Sequence, residues 1–380
     1  MRRTIKYVLA AALLSGTASA ETIKIGVNEP LTGAFAASGT YVVNGAKIAA
    51  DEINAKGGIL GKKIELVIED NKSNPTEAAA VAEKLITSDK TPVLMGAWGS
   101  SLTLAVMPKL TEYETPMLVE TSSSGKITTS GNPYIFRISP PSSVEAAAFK
   151  NIVDKLNLKK VDFLVINNDW GRGTADDFGR MFKEKGIGVG LVETMDQGAQ
   201  DMSAQLSKFK SSDSETIIVT TSVDQLTLIF KQAAALGLKK RIITTGGSQN
   251  PDQIIAQAGA AANGTMHLTT FLPWLPDKTP NPEATNYFIS EWKKRGFDFA
   301  GCTESFRGYD GIRTVAAAIE KAGKAEPAAI KAAFWDVKVK GLNGDIVFHK
   351  SGPEGKESGQ SQPNVYLIEI EDGKVGLKNL

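Results

Sequence analysis

Only one cysteine, Cys302, and two histidines, His267 and His349, occur among the 380 residues. A single cysteine excludes an intramolecular disulfide. The expected state of Cys302 is a buried, inert thiol. Two isolated histidines, with no second cysteine, give no metal-ligand spacing. They also leave a serine nucleophile short of a general base. His267 alternates with hydrophobic neighbours in "GTMHLTT", as a sheet residue would, and His349 ends a late strand. Charge of one sign is lacking too. The formal net charge is only +1, which gives nucleic acid and anionic membrane surfaces no footing. Beyond the first twenty residues no run is long and apolar enough to cross a bilayer.

Those first twenty residues have their own pattern. Arg2, Arg3 and Lys6 precede the apolar run "YVLAAALLSG", and "ASA" at 18–20 supplies a small-x-small cleavage site. This is the pattern of a secretory signal peptide, so Glu21 is expected to begin the mature chain. Its removal shifts the formal charge from +1 to −2. No cysteine stands near the cleavage site to carry lipid. The mature chain is expected to be exported.

From residue 22 onward strands and helices alternate. Ile23, Ile25 and Val27 alternate as in a strand. "YVVNGAKIAADEI" places Val42, Ala46, Ala49 and Ile53 on one helical face. "KIELVIED", "PVLMG" and "PMLVE" read as further strands, with a helix starting at Asn74-Pro75-Thr76. Near residue 142 the alternation restarts, through "VDFLVI", "ETIIVT" and "RIITTGG". Such alternation implies α/β crossover units on parallel sheets covered by helices. Two runs of similar length imply two lobes. Residues 270–284 hold four prolines and read as a long loop. Helical patterns at 287–294, 311–322 and 327–334 are most economically returned to the first lobe. The tail has two strand-like pieces, joined by a surface turn over "SGPEGKESGQSQP".

Ligands of parallel sheets collect beyond the carboxyl ends of the strands. The loops there are rich in serine, threonine and glycine: "NEPLTGAFAASG", "GAWGSS", "ETSSSG", "NNDWGRG", "TSVD" and "TGGSQN". Any one of them is satisfied as a helix cap. Two adjacent hydroxyl-rich loops, "GAWGSS" and "ETSSSG", fit an anion such as a carboxylate, through hydroxyls and unobstructed N–H groups. "GSSLT" lacks the G-x-S-x-G elbow of a hydrolase. No phosphate loop and no dinucleotide loop is present. No cofactor is expected.

"IKIGVNEPLTGAFAASG" with "NGAKIAADEINAKGGILGKKIELVIEDNKSNP" resembles the start of Leu/Ile/Val-type periplasmic binding proteins, the type I solute-binding proteins of ABC importers. "ALG" at 235–237, "GYDGIRTVAAAIEKAG" and "LNGDIVF" continue the resemblance. It implies a two-lobed receptor without catalytic activity. Such a receptor closes on a small solute and delivers it, as a monomer, to an inner-membrane permease with its ATPase. It assigns residues 22–141 and 271–335 to lobe one, and 142–270 with 336–380 to lobe two. It puts a solute carboxylate on Ser100, Thr121, Ser122 and Ser123, with Trp170 covering the solute. Trp98 either adds a wall or packs under its turn.

Several positions depart from the family pattern. The acid that meets a solute ammonium belongs near "TTGGSQN", where Gly247 and Gln249 stand. Tyrosines of the family correspond to Ser38 and Ser222, and an aromatic to Glu304. The positions of the family's common disulfide are Ser73 and Gly99. The expected solute is an amino acid of the branched-chain or related apolar class, with Glu304 or Asp224 as replacement acid. The alternatives are an aromatic or aliphatic carboxylate without an ammonium, and a receptor that senses a solute without delivering it.

Overall fold

The computed structural model describes residues 22–247 and 249–378. The signal-peptide segment lies outside the described residues. The first sheet begins with β1 (Ile23–Glu29), β2 (Ile64–Asp70), β3 (Leu94–Gly96), β4 (Met117–Val119) and β5 (Ile135–Arg137). Helices α1 (Ala36–Ala55), α2 (Pro75–Thr87), α3 (Ser100–Glu112) and α4 (Lys126–Thr129) connect them. The second sheet begins with β6 (Lys160–Ile166), β7 (Gly188–Met195), β8 (Thr216–Thr220), β9 (Arg241–Thr244) and β10 (Met266–Thr269). Its helices are α5 (Ser142–Lys150), α6 (Asp169–Glu184), α7 (Ser203–Ser211), α8 (Val223–Ala235) and α9 (Pro251–Ala258). Then come α10 (Pro282–Lys294), α11 (Cys302–Ala322) and α12 (Pro327–Phe334).

The two sheets share one plan. Their parallel strands run 2-1-3-4-5 and 7-6-8-9-10. In each, the order reverses beside the first strand, between β1 and β3 and between β6 and β8. Loops leaving the carboxyl ends there diverge and open a crevice. The segments after β3 and β6 carry Trp98, Ser100 and Trp170. Local signals explain the helix starts. Asn74 accepts from the N–H groups of Thr76 and Glu77 at 2.8 and 3.2 Å, with Pro75 in the first helical position.

The tail differs from its expected placement. Residues 336–380 do not go to lobe two as a unit. β11 (Val339–Gly341) and β12 (Gly344–Ile346) form a separate ribbon, held to α11 where the Leu342 N–H donates to Asp310 at 2.7 Å. β13 (His349–Ser351) and β14 (Ser358–Gln360) join the first sheet, β14 lying parallel to β5. Only β15 (Tyr366–Glu371) and β16 (Lys374–Leu377) extend the second. The expected surface turn therefore contains a buried strand. Its polar side chains find partners inside: Ser358 donates to the Asn132 carbonyl at 2.7 Å, and Gln360 accepts from Arg137 at 2.7 Å. The chain thus passes between the sheets three times, near 138–141, 270 and 361–365.

α10, α11 and α12 pack into the first lobe's core through Phe288, Trp292, Ile312, Val315 and Phe334. α11 begins nine residues before the pattern starting at 311, and Gly308 explains why the early part is cryptic. A Cβ there would stand 1.9 Å from the Val42 carbonyl oxygen. A residue that looks like a helix breaker is what lets α11 touch the backbone of α1. The second lobe has one core on each face of its sheet, built around Phe163 and Phe182 and around Phe209 and Phe230.

Candidate binding site

The site starts from the turn after β3. Trp98 is buried with φ +51°, and its ring packs on Phe35 at 4.6 Å between centroids. Its indole N–H donates to Glu304 at 2.9 Å. Ser122 secures the same turn, donating to the Trp98 carbonyl at 2.7 Å and lying 2.7 Å from the Thr103 hydroxyl. The Ser122 hydroxyl is thereby committed to structure. Ser100 Oγ accepts from the Ser124 N–H at 3.1 Å and ties the two hydroxyl-rich loops together.

Arg137 sets the direction of the second loop. It is fully buried at the end of β5 and donates to the carbonyls of Ser122 and Ser124 at 3.0 and 2.7 Å. It also reaches Thr128 at 2.9 Å. With those carbonyls turned inward to a guanidinium, the Thr121 and Ser123 side chains stand beside the cavity. Arg137 makes no ion pair among the described residues. Burial pulls it down to about 9, so it remains charged at neutral pH. A fixed cation directly behind a hydroxyl-rich loop favours an anion in front of it.

Trp98, Gly99, Ser100, Thr121, Ser122, Ser123, Trp170 and Gly246 line a small cavity with room for about one water. Of the positions expected from sequence, Ser100, Thr121, Ser122, Ser123, Trp98 and Trp170 come together there. Thr121 Oγ1 is buried without a hydrogen-bond partner, although the Glu120 carboxyl is near enough to be influenced by it. The Trp98 and Trp170 rings meet edge to face at 5.8 Å and close the cavity from both lobes. Trp98 therefore both packs under its turn and forms a wall.

Five expected positions stand outside this cavity. Ser222 precedes α8 and is buried there. Gly247 turns its carbonyl to Arg307 at 2.6 Å, and it is Gly246 that lines the cavity. Gln249 donates to the Thr245 carbonyl at 2.5 Å. Glu304 is buried behind Trp98, where it also accepts from Ser38 at 3.0 Å and Asn250 at 3.4 Å. Asp224 accepts from Gln253 at 2.9 Å on the surface. The histidines are elsewhere. His267 is wedged between the Thr244 and Thr265 hydroxyls at 2.7 and 2.9 Å, and burial takes it down to about 3. Cys302 is buried, and burial pushes its thiol up. Among the described residues no acidic, histidine or cysteine cluster is placed to hold a metal.

Sequence reasoning passed over several residues that bridge the lobes. Ser101, which reads as a helix cap, instead donates across the cleft to Asp169 at 2.9 Å and accepts the Asp169 N–H at 3.2 Å. Arg307 reaches Gly247, and Gln197 reaches the Ser73 carbonyl at 3.2 Å. Within lobe two, Glu145 on α5 takes the Gly246 N–H on both carboxylate oxygens. Two signals were available. "IFRIS" sets an arginine in an apolar run, and Glu145 lies four residues from Phe149 on the buried face of its helix.

Two sheets of identical plan, three crossings and a cavity between facing switch points are matched by sequence over nearly the whole chain: residues 22–374 fit the profile of the periplasmic binding proteins. The chain belongs to this family. Among periplasmic binding proteins, the Leu-, Ile-, Val-, Thr- and Ala-binding protein of Pseudomonas aeruginosa is 28% identical, over 92% of each chain. A second protein of that organism, described as an amino acid binding protein, is 30% identical over 87% of each. The branched-chain amino acid transporter substrate-binding protein of Streptococcus pneumoniae, solved with isoleucine, superposes with a TM-score of 0.82. It is 29% identical, with 93% of this chain and 98% of that one covered. Members of the family are solute-binding proteins. Among the described residues no helix is long and apolar enough to cross a membrane.

For a periplasmic binding protein the cross-cleft contacts bear on closure. The Asp169 side chain is 28% exposed; its carboxylate accepts from Ser101 and lies 3.6 Å from Lys126, while its N–H donates to Ser101. Asp169→Ala keeps the N–H bond and is expected to weaken solute affinity by about 3- to 10-fold, the worth of a partly screened hydrogen bond and ion pair present only in the closed form. The thermal midpoint without solute should hardly move. Titration calorimetry beside a melting curve checks both.

Proposed function

We propose that the protein is the periplasmic solute receptor of an ATP-driven importer, and that it holds a small solute by its carboxylate. The observation that carries this reading is the facing pair of loops at Ser100 and Thr121–Ser123, with Thr121 Oγ1 unpartnered and the Arg137 cation behind them. Trp98 and Trp170 are the walls for the rest of the solute. The two indoles meet closely enough here to leave room for about one water, so a solute such as an amino acid or a comparably small acid enters as the lobes part. The amino acids in the names of the relatives support the same class. The protein acts by hinge closure and turns over nothing: solute favours the closed form, and the permease receives that form.

A thermal-shift screen of amino acids, aromatic acids and aliphatic acids tests the reading, since a solute that binds only the native form raises its midpoint. At least one carboxylate is expected to raise it, and Ser100→Ala is expected to reduce that rise. Amides and sugars raising it while every carboxylate fails would overturn the proposal. A rise with benzoate-like acids alone would assign the two indoles to an aromatic ring.

A further inference from the structure

Two buried acids lie unused under the hydroxyl-rich loops. Glu29 ends β1 and Glu120 follows β4, on either side of β3. The registers Asn28–Gly96 and Met95–Leu118 bring the two glutamates level, each one residue past the row through Gly96. Level residues of neighbouring parallel strands point to the same face, and Glu120 is the neighbour that acts most strongly on Glu29. Both side chains are fully buried. None of their four carboxyl oxygens has a hydrogen-bond partner among the described residues. Neither has Thr121 Oγ1, which acts on Glu120 from the cavity side.

Two carboxylates offer each other only acceptors. The pair is complete only with a proton between its members, since like charges that share a buried place do not both ionise. The charges around it do not remove that need. Glu304 and Arg307 face the pair from α11. Glu304 is occupied by Trp98, Ser38 and Asn250. Arg307 faces three acids at once, Glu304, Glu120 and Glu145 of lobe two, and gives one nitrogen to the Gly247 carbonyl. Asp310 on α11 and Asp345 on the β11–β12 ribbon share a cavity with Glu120 and Arg307 near the crossings. Asp310 is bonded to the Leu342 N–H and to Arg313, and Asp345 is exposed. Burial first, then Glu120 and Glu304, holds the Glu29 carboxyl well above the usual carboxylate range. Burial raises Glu120 as well.

A solute carboxylate on Ser100 and Thr121–Ser123 brings a further negative charge to the other side of Thr121. We propose that Glu29 and Glu120 form a proton site, and that the protein takes up one proton there with each carboxylate it captures. The inference rests on the carboxylate-binding reading above and gives the solute a co-ligand. Without solute the pair shares one proton; with solute it holds two. The incoming charge is then matched, and the buried net charge is unchanged. A protonated Glu120 can donate to Thr121 Oγ1, which frees the Thr121 hydrogen to donate to the solute. The proton comes from solvent and returns to it when the solute leaves. Low pH therefore favours capture, and high pH favours release.

The test is titration calorimetry in phosphate and in Tris, whose heats of ionisation differ, so that proton uptake is read from the difference in binding heat. The probes are the twenty common amino acids, benzoate and butyrate. For each probe that binds wild type, uptake should peak at about 0.5–1 proton per solute within about pH 5–8, the range to which burial raises carboxyl groups. At that peak, affinity should weaken about 3- to 10-fold per unit rise in pH, tenfold being the limit for one linked proton. Glu120→Gln, neutral at every pH, should lose the uptake and bind more tightly than wild type at the upper end of that range. A merely structural Glu120 would give weaker binding throughout. Glu145→Gln and Glu304→Gln should keep the uptake, and melting curves confirm that each variant is folded. Binding without uptake in wild type overturns the proton site and leaves the receptor reading intact. Loss of uptake in Glu145→Gln or Glu304→Gln overturns it too, whether or not Glu120→Gln folds. If no carboxylate probe binds, both readings fall.

Discussion

Arg137→Met is expected to destabilise the folded protein by about 2–4 kcal/mol. The replaced guanidinium holds the Ser122 and Ser124 carbonyls, the Thr128 hydroxyl and Gln360. Hydrogen bonds to a charged donor contribute about 1.5–3 kcal/mol each. Two opposing effects reduce the total. Burying an unpaired cation is unfavourable in the first place, and weaker partners remain, such as Ser139 on the Ser122 carbonyl at 3.3 Å. The lost bonds outnumber these, so the net change is destabilising. Because Gln360 belongs to β14, the effect reaches the tail strand that closes the first sheet. Arg137→Lys should recover only part of the loss, since an ammonium is a point and cannot span carbonyls on one side and an amide on the other. Solute affinity should fall with it, as the loop loses both its direction and the cation behind it. Urea denaturation with calorimetry reads the two effects. Unchanged stability in Arg137→Met would show that water replaces the guanidinium at no cost.

Gly246→Ala should have the opposite signature, a modest change in stability and a large change in binding. Residue 246 has φ +91°, where an alanine is strained by about 1–2 kcal/mol. The larger consequence is contact. A Cβ at 246 would stand 2.5 Å from Cζ2 of Trp170, a ring set edge to face against Trp98. The ring cannot retreat without giving up that wall of the cavity. Affinity for the solute found by thermal shift is expected to fall at least about 100-fold, since packed interfaces change between discrete arrangements and resist gradual deformation. Retention of affinity within about 3-fold would mean that Trp170 moves freely and does not close over the solute.

Much of the plan was legible in sequence because parallel strands are buried on both faces and read as apolar runs, as in "VDFLVI" and "ETIIVT". The hydroxyl-rich loops were legible as well, and Ser100, Thr121 and Ser123 meet where their strands converge. The rest depended on distance in sequence. β14 has almost no apolar content, because its buried groups are Ser358, Gly359 and Gln360, satisfied by partners more than two hundred residues away. Ser101 reads as a cap because its true partner, Asp169, is on another lobe. Arg137 in "IFRIS" and Glu145 four residues before Phe149 could be read as buried, but their partners, Gln360 and Gly246, are more than one hundred residues away.

The three passages of the chain between the sheets have a mechanical consequence. One tether would let the two halves swivel, and two would let them shear. Three tethers side by side resist torsion and leave bending as the soft motion. The half-molecules then have one relative pose at the end of their travel, whatever the solute. That pose is set by the spacing of two surfaces, one on each half, and not by the cargo between them.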